Sequence, residues 1–182
     1  LASAAADLAA LLPAVAALEG PLDGVARALL GAWRENKKVL TCGNGGSAAD
    51  AIHLAEELMV RFQKARKALA AISLLDAGSI TCAGNDLGFE KIFSRQVEAL
   101  GQPGDVLVVF STSGNSPNII AAVETAKRLG LVTVAFLGRD GGGLKGVCTH
   151  ELLVPAKTSH RSQETHLLLY HTLCEIVDYH VD

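Results

Sequence analysis

The stretch "VLTCGNGGSAADAIHLAEELM" (residues 39–59) holds three kinds of sequence in a row: a short apolar run, a glycine-rich turn and a helical stretch. A buried strand handing over to a helix through glycines is the repeating unit of a parallel α/β sheet. On a helix opening near Ser47, His53 and Glu57 lie four residues apart and share one face. Asp50 lies on that face one turn earlier, whereas Glu56 points elsewhere, to solvent.

Outward from this unit the pattern repeats. The runs ALAAISL (68–74), DVLVVF (105–110), VTVAFL (132–137) and ELLVP (151–155) alternate with helical stretches. They predict a doubly wound parallel sheet flanked by helices, with ligands at the carboxyl ends of its strands. Upstream, residues 3–18 and 22–36 read as two helices divided by Glu19, Gly20 and Pro21, with packing and oligomer contacts as their role. Downstream, a last helix over about 162–180 carries His166, His171 and His180. No repeat or linker interrupts the chain, so residues 1–35 are expected to belong to the same single domain as 36–182.

Composition narrows the function. A chain of 182 residues can bury a sizeable core without staples. A net charge of -3 and a sequence pI near 6.1 provide no global field for a polyanion, and 4% aromatic residues leave no base-stacking surface. No nucleic-acid partner is expected, and any anion must be held by a local site. Cys42, Cys82, Cys148 and Cys174 are too dispersed for a CxxC zinc pattern or a close-spaced disulfide framework, which suits reduced thiols in a cytoplasmic protein. No apolar run nears the roughly 18 residues of a membrane helix, and no signal-peptide layout opens the chain. The expectation is a soluble, cytoplasmic protein without a membrane partner.

Two loops suit a phosphate. Gly43-Asn44-Gly45-Gly46-Ser47 follows a strand and opens a helix, where free amides and the helix dipole favour an anion. Ser111, Thr112, Ser113 and Ser116 place four hydroxyls around Gly114 directly after DVLVVF, and Pro117 fits the first helical position behind a Ser116 cap. A capped turn with solvated serines is the plainer reading of such a cluster; its place after a buried strand, beside a second glycine loop, favours a phosphate monoester. The first loop also fits G-x-G-x-x-A, the dinucleotide fingerprint, with Asp76 as the acidic partner. Asp76 lies farther along than the usual ~20 residues, and that pattern leaves His53 and Glu57 without a purpose.

From about residue 36 to 178 the chain resembles the SIS (sugar isomerase) domain family and, within it, the phosphoheptose isomerases. The motifs "CGNGGSAADAIHLAEEL", "CAGNDLGFEKIFSRQVEALGQPGDVL", "STSGNS", "GRDGG" and "SQETHLLLYH" occur in the family's order and spacing. The resemblance implies a homotetramer with sites at subunit interfaces, a phosphosugar substrate and one zinc ion per subunit. It implies His53, Glu57, Gln163 and His171 as metal ligands, with Glu57 and His171 as the acid/base pair. Substrate contacts carried over are Asn44, Gly45, Gly46, Ser47, Arg61, Asn85, Asp86, Ser111, Thr112, Ser113, Ser116 and Gln163. The implied reaction interconverts sedoheptulose 7-phosphate and an aldoheptose 7-phosphate through an enediol, for nucleotide-activated heptose synthesis. A non-catalytic relative that binds a replication initiator supplies the alternative, a regulatory protein that has lost most of the acid/base set. Residues 1–35 match poorly, and "AKTSHRS" (156–162) departs from the family, so His160 and Arg161 receive no role.

Several points stay open on sequence. Arg61 either meets the substrate or is solvated within "RFQKARK" (61–67), and Asp86 either binds sugar hydroxyls or caps the helix opening at "LGFEKIF". Gln163 and His171 are eight residues apart, about 12 Å of helical rise. Either the last helix starts after Gln163, or a neighbouring subunit supplies one ligand.

Overall fold

In the computed structural model, which describes residues 1–181, the elements in chain order are α1 (Ala2–Ala9), α2 (Leu12–Ala16), α3 (Glu19–Arg34), β1 (Val39–Gly43), α4 (Gly46–Met59), β2 (Ala71–Ser73), α5 (Ala77–Asp86), α6 (Ser94–Leu100), β3 (Val106–Ser111), α7 (Pro117–Arg128), β4 (Val132–Leu137), β5 (His150–Leu153) and α8 (Ser159–His180). The five strands form one wholly parallel sheet in the order β2-β1-β3-β4-β5. This is the doubly wound α/β architecture expected from the alternating runs.

Both faces of the sheet are covered, which is why its strands read as unbroken apolar runs. Alternate residues of β3 serve opposite layers. Val106, Val108 and Phe110 pack with α3, α4 and α8, while Leu107 and Val109 pack with α6 and α7. Phe110 stacks on Phe136 of β4 at 4.6 Å between ring centroids, tying the two central strands together beneath α8.

The helical boundaries at the start differ from expectation. Residues 3–18 do not form one helix, since the chain turns at Ala10 and Leu11 between α1 and α2. Glu19, Gly20 and Pro21 do not divide two helices; they are the first turn of α3. An amide there has no intrahelical acceptor, so a proline without one loses nothing. Among the described residues no single helix is long and apolar enough to cross a membrane; only the pair Ala2–Ala16 and Glu19–Arg34, bent by 68°, reaches that length and apolarity together.

His166 lies at the core under α8, fully buried, its Nε2 3.1 Å from the Leu137 carbonyl. Burial lowers its pKa from 6.5 to about 4, against the smaller upward pull of that hydrogen bond. His160 and His180 are exposed. Because the folded state disfavours the proton on His166, its stabilising effect is complete above the unfolded pKa of 6.5 and is lost as pH falls toward 4. The loss corresponds to roughly 3 kcal/mol. Urea titrations between pH 7 and 4 should register it, and His166→Gln, which keeps a nitrogen able to reach Leu137, should flatten that part of the profile. Superimposable profiles for the two proteins would dismiss His166 as the source.

Candidate active site

The order in which strands are added to the sheet reverses between β1 and β3, with β2 on the outer side of β1 and β4 and β5 on the outer side of β3. From β1 the chain leaves to α4 on one face, and from β3 to α7 on the other. The crevice at such a switch point is where open α/β sheets bind ligands. Here it juxtaposes the loops 43–47 and 111–116. Asn44 and Asn118 join them through reciprocal amide hydrogen bonds: Asn44 Nδ2 donates to Asn118 Oδ1 at 2.9 Å, and Asn118 Nδ2 to Asn44 Oδ1 at 2.8 Å. Asn118 is buried and carried no signal in the sequence beyond its place one residue after Pro117.

Each loop depends on a glycine. Gly114 adopts φ +64°, and a Cβ there would run into the Gly141 carbonyl, so only glycine permits the tight return. In the first loop the requirement falls on Gly43, where a Cβ would run into the Ser47 carbonyl, while Gly46 opens α4 against the side-chain amide of Gln163. The hydroxyls divide in role. Ser111 is buried and accepts the Gly114 N–H at 3.0 Å, which shapes the turn; Ser113 accepts from Asn115 N–H at 3.2 Å. Thr112 Oγ1 bonds Ser159 Oγ at 3.1 Å, at the start of α8. Ser116 occupies the cap position of α7, but its hydroxyl makes no capping bond, contrary to expectation. Of the first loop, Gly45 and Gly46 are exposed and Ser47 is buried. A cleft of about 420 Å³ opens beside both loops between Asn44, Ser116 and Asn118 and the segment Gly88–Glu90.

Helices α4 and α8 lie side by side and run in the same direction from these loops. Gly46 meets Gln163, His53 meets Tyr170, and Gln63, just beyond α4, meets Asp178. This pairing brings His53, Glu57 and His171 together, each offering a ligand atom within 4.8 Å of the others. His53 Nε2 is 3.1 Å from Glu57 Oε1, and the rings of His53 and His171 meet edge-on at 5.0 Å. Burial, and then the neighbouring His53, lower the pKa of His171, against smaller upward effects of Glu57 and Glu175. Its imidazole is therefore neutral at neutral pH, as a base or a metal ligand requires. Asp50, mostly buried on the same face of α4, is pushed by burial to a pKa of about 6, with His53 pulling it down.

The three groups fit a divalent cation. His171 Nε2 is sealed from solvent with no hydrogen-bond partner, beside a carboxylate and a second imidazole. Two histidines and one carboxylate are the donor set of an open, catalytic zinc site, with a position left over for another ligand. Gln163 does not join this cluster in its own chain. Helix α8 starts at Ser159, so the expectation that it opens after Gln163 is overturned; the residue sits two turns above His171 with its amide against Gly46.

Other expected positions sort as follows. Arg61 is exposed just beyond α4. Asn85 and Asp86 are exposed at the end of α5 and bond each other, Asn85 Nδ2 to Asp86 Oδ1 at 2.7 Å. Asp86 does not cap the helical turn that follows, whose cap position is Gly88. Asp76 spends its carboxylate on the first turn of α5, accepting from Ser79 N–H at 2.7 Å and Ser79 Oγ at 2.8 Å. Capping α5 gives Asp76 a structural role that needs no dinucleotide.

Arg66 is the residue that a reading of the sequence as a solvated charge run misses most. Its side chain is fully buried, and three of its nitrogens are engaged. Nε donates to Asp178 Oδ1 at 2.7 Å, Nη2 to the Glu57 carbonyl at 2.8 Å and Nη1 to the Leu58 carbonyl at 3.0 Å. The guanidinium thus caps the last turn of α4 and bolts it to α8. The available signal was Asp178 itself, an acidic residue in step with Leu173, Cys174 and Val177 on the apolar side of α8, which demands a buried cation.

Comparison with known proteins identifies the family. Residues 5–138 match the family model described as SIS domain. The chain is 56% identical to the phosphoheptose isomerase of Fusobacterium nucleatum over 86% of its own length and 80% of that protein. It is 48% identical to phosphoheptose isomerase 1 of Campylobacter jejuni over 88% and 87% of the two chains. Among solved structures, phosphoheptose isomerase GmhA from Neisseria gonorrhoeae superposes with a TM-score of 0.91 at 40% identity, covering 98% of this chain and 96% of that one. The Francisella tularensis phosphoheptose isomerase gives 0.93 at 38% identity, covering 97% and 95%.

Removing one partner of a buried ion pair leaves the other charge uncompensated. Arg66→Met should therefore lower stability by about 3–5 kcal/mol in chemical denaturation. A loss below 1 kcal/mol would show that the bolt between α4 and α8 lies elsewhere.

Proposed function

The chain belongs to the SIS domain family and, within it, to the phosphoheptose isomerases, and from that membership we propose that it interconverts sedoheptulose 7-phosphate and D-glycero-D-manno-heptose 7-phosphate. One observation carries the reading beyond family: the same chain gathers His53, Glu57 and His171 some distance below two phosphate-type loops. The seven residues from Gly46 to His53 amount to about 10 Å of helical rise. That span is of the order of an extended seven-carbon chain ending in a phosphate, so the loops can anchor one end while C1 and C2 meet the acid/base groups at the other.

Each residue then has a task. The exposed amides of Gly45 and Gly46, with Thr112, Ser113 and Ser116, hold the phosphate; Ser111, Ser47 and Asn44 keep the two loops in shape. Gln163, lying over Gly46, faces the sugar rather than the ion of its own chain. As a metal ligand it would have to serve a neighbouring copy, which accords with sites at the interfaces of a homotetramer. Asn85, Asp86 and Arg61 take sugar hydroxyls in the same assembly. Glu57 removes the proton from C1 of the ketose and returns one to C2, while His171 moves a proton between the two oxygens, O2 gaining one and O1 losing one. The intermediate is the enediol, and every proton removed is returned, so the reaction needs no outside oxidant or reductant. A divalent ion such as zinc, when held by His53, Glu57 and His171, would polarise the carbonyl and stabilise negative charge on the sugar oxygens. For Glu57 to be ligand and base in one turnover, one of its carboxylate oxygens must stay free for the carbon-bound proton. Binding energy from the remote phosphate orients C1 and C2 and so accelerates the chemistry.

The product belongs to nucleotide-activated heptose synthesis in the cytoplasm. A partner-binding regulator on the same fold would have no need of the acid/base and metal set, and that set is intact here.

Incubation with sedoheptulose 7-phosphate should yield the aldose, and a chelator should reduce the rate. Glu57→Gln should lower turnover by at least 1000-fold, on the order of what loss of an acid/base group costs, while phosphosugar still binds. Retained turnover in that variant would remove Glu57 as the base. Because the Ser116 hydroxyl makes no capping bond, Ser116→Ala should raise KM several-fold with little change in kcat or in thermal stability. A fall in kcat alone would show that Ser116 does not hold the phosphate.

A further inference from the structure

The metal reading says nothing of how His53 is made ready for an ion. Its ring is pinned at both nitrogens. Nδ1 lies 2.9 Å from the hydroxyl of Tyr170, and Nε2 lies 3.1 Å from Glu57 Oε1. A neutral imidazole carries a single ring proton, so the two bonds fix each other's direction. If Tyr170 donates to Nδ1, then Nε2 carries the proton and donates to Glu57. If Nδ1 carries the proton and donates to Tyr170, then Nε2 turns a lone pair toward the carboxylate, an arrangement that only a cation between them makes favourable.

We propose that Tyr170 is a positioning residue: its hydroxyl supports both tautomers of His53, so that the ring proton moves from Nε2 to Nδ1 when a divalent cation arrives and Nε2 becomes the ligand without losing its partner. The inference rests on the metal-binding part of the proposed function. A carbonyl or carboxylate in this place would only accept and would lock the metal-binding tautomer, and an ammonium or guanidinium would only donate and forbid it. A hydroxyl does either by rotating its hydrogen.

The surroundings make the hydroxyl a fixed one. Tyr170 is 1% exposed, meets the His53 ring edge-on at 5.4 Å and the Phe110 ring at 5.9 Å, and belongs to the core cluster of α8. Its ring is held by packing on the central sheet, so its oxygen cannot drift from Nδ1. Partners of this kind orient ligating histidines and typically alter metal affinity 10–100-fold when removed.

The test uses the full chain and Zn²⁺ alone. Competition with a chelating dye should show Tyr170→Phe binding zinc 10–100-fold more weakly than the parent, with its thermal midpoint close to the parent's. In a His53→Ala background the same substitution should change zinc affinity no further. Nitrogen-15 spectra of the parent's histidine rings should show His53 protonated at Nε2 without metal and at Nδ1 with zinc. Equal zinc affinity of parent and Tyr170→Phe, or a His53 tautomer unmoved by zinc in the parent, would overturn the assignment of Tyr170 and leave the isomerase reading standing. Absence of zinc binding by the parent would overturn both the assignment and the metal reading beneath it. The ring spectra need no variant, so they decide the matter even if Tyr170→Phe does not fold.

Discussion

The site depends on the alignment of two helices far apart in sequence. Helices α4 and α8 begin at the same edge of the sheet and run together, so residues offset by about 117 positions become neighbours, as His53 and Tyr170 are. A slip of one residue along either helix would turn His171 through about 100° and take it out of reach of His53 and Glu57. Two features hold the alignment. At the loop end, Gly46 admits the Gln163 side chain against the backbone. At the far end, Arg66 ties the last carbonyls of α4 to Asp178 of α8. Between them lie the packed apolar residues Ala51, Leu54, Leu58, Leu169, Leu173 and Val177.

On the proposed function, binding and chemistry are kept apart. The phosphate-type loops stand at the switch point of the sheet, held to each other by the Asn44–Asn118 pair, and the titratable groups stand about two turns along the helices. Backbone amides and hydroxyls can hold a dianion without a change of protonation, while a carboxylate and two imidazoles in a partly buried setting can exchange protons.

Several polar groups in the core have structural partners. His166 bonds the end of β4, Asp76 caps α5, and Asp178 neutralises Arg66. Among the described residues, five buried side-chain atoms lack a partner: Asp50 Oδ2 and His171 Nε2 in the cluster around His53, and Ser73 Oγ, Arg161 Nε and His166 Nδ1 outside it. Buried polar atoms without partners are costly, and two of the five lie where an ion would be met.

Much of this was legible beforehand. The unbroken apolar runs gave the parallel sheet, because a strand covered on both faces has no polar side to show. Glycine placement gave the loops, because Gly114 needs a positive φ and Gly43 a missing side chain. The four-residue spacing of His53 and Glu57 put them on one face, because helical periodicity is local. What sequence spacing alone could not decide were the relations that link separate elements. Arg66 looked like one more solvated cation, nothing marked Tyr170 as the partner of His53, and nothing placed Gln163 against Gly46. Their roles depend on which helix lies alongside which, and at what register. That is a property of side-chain packing across the sheet, settled by contacts over more than a hundred residues of chain, and no local periodicity encodes it.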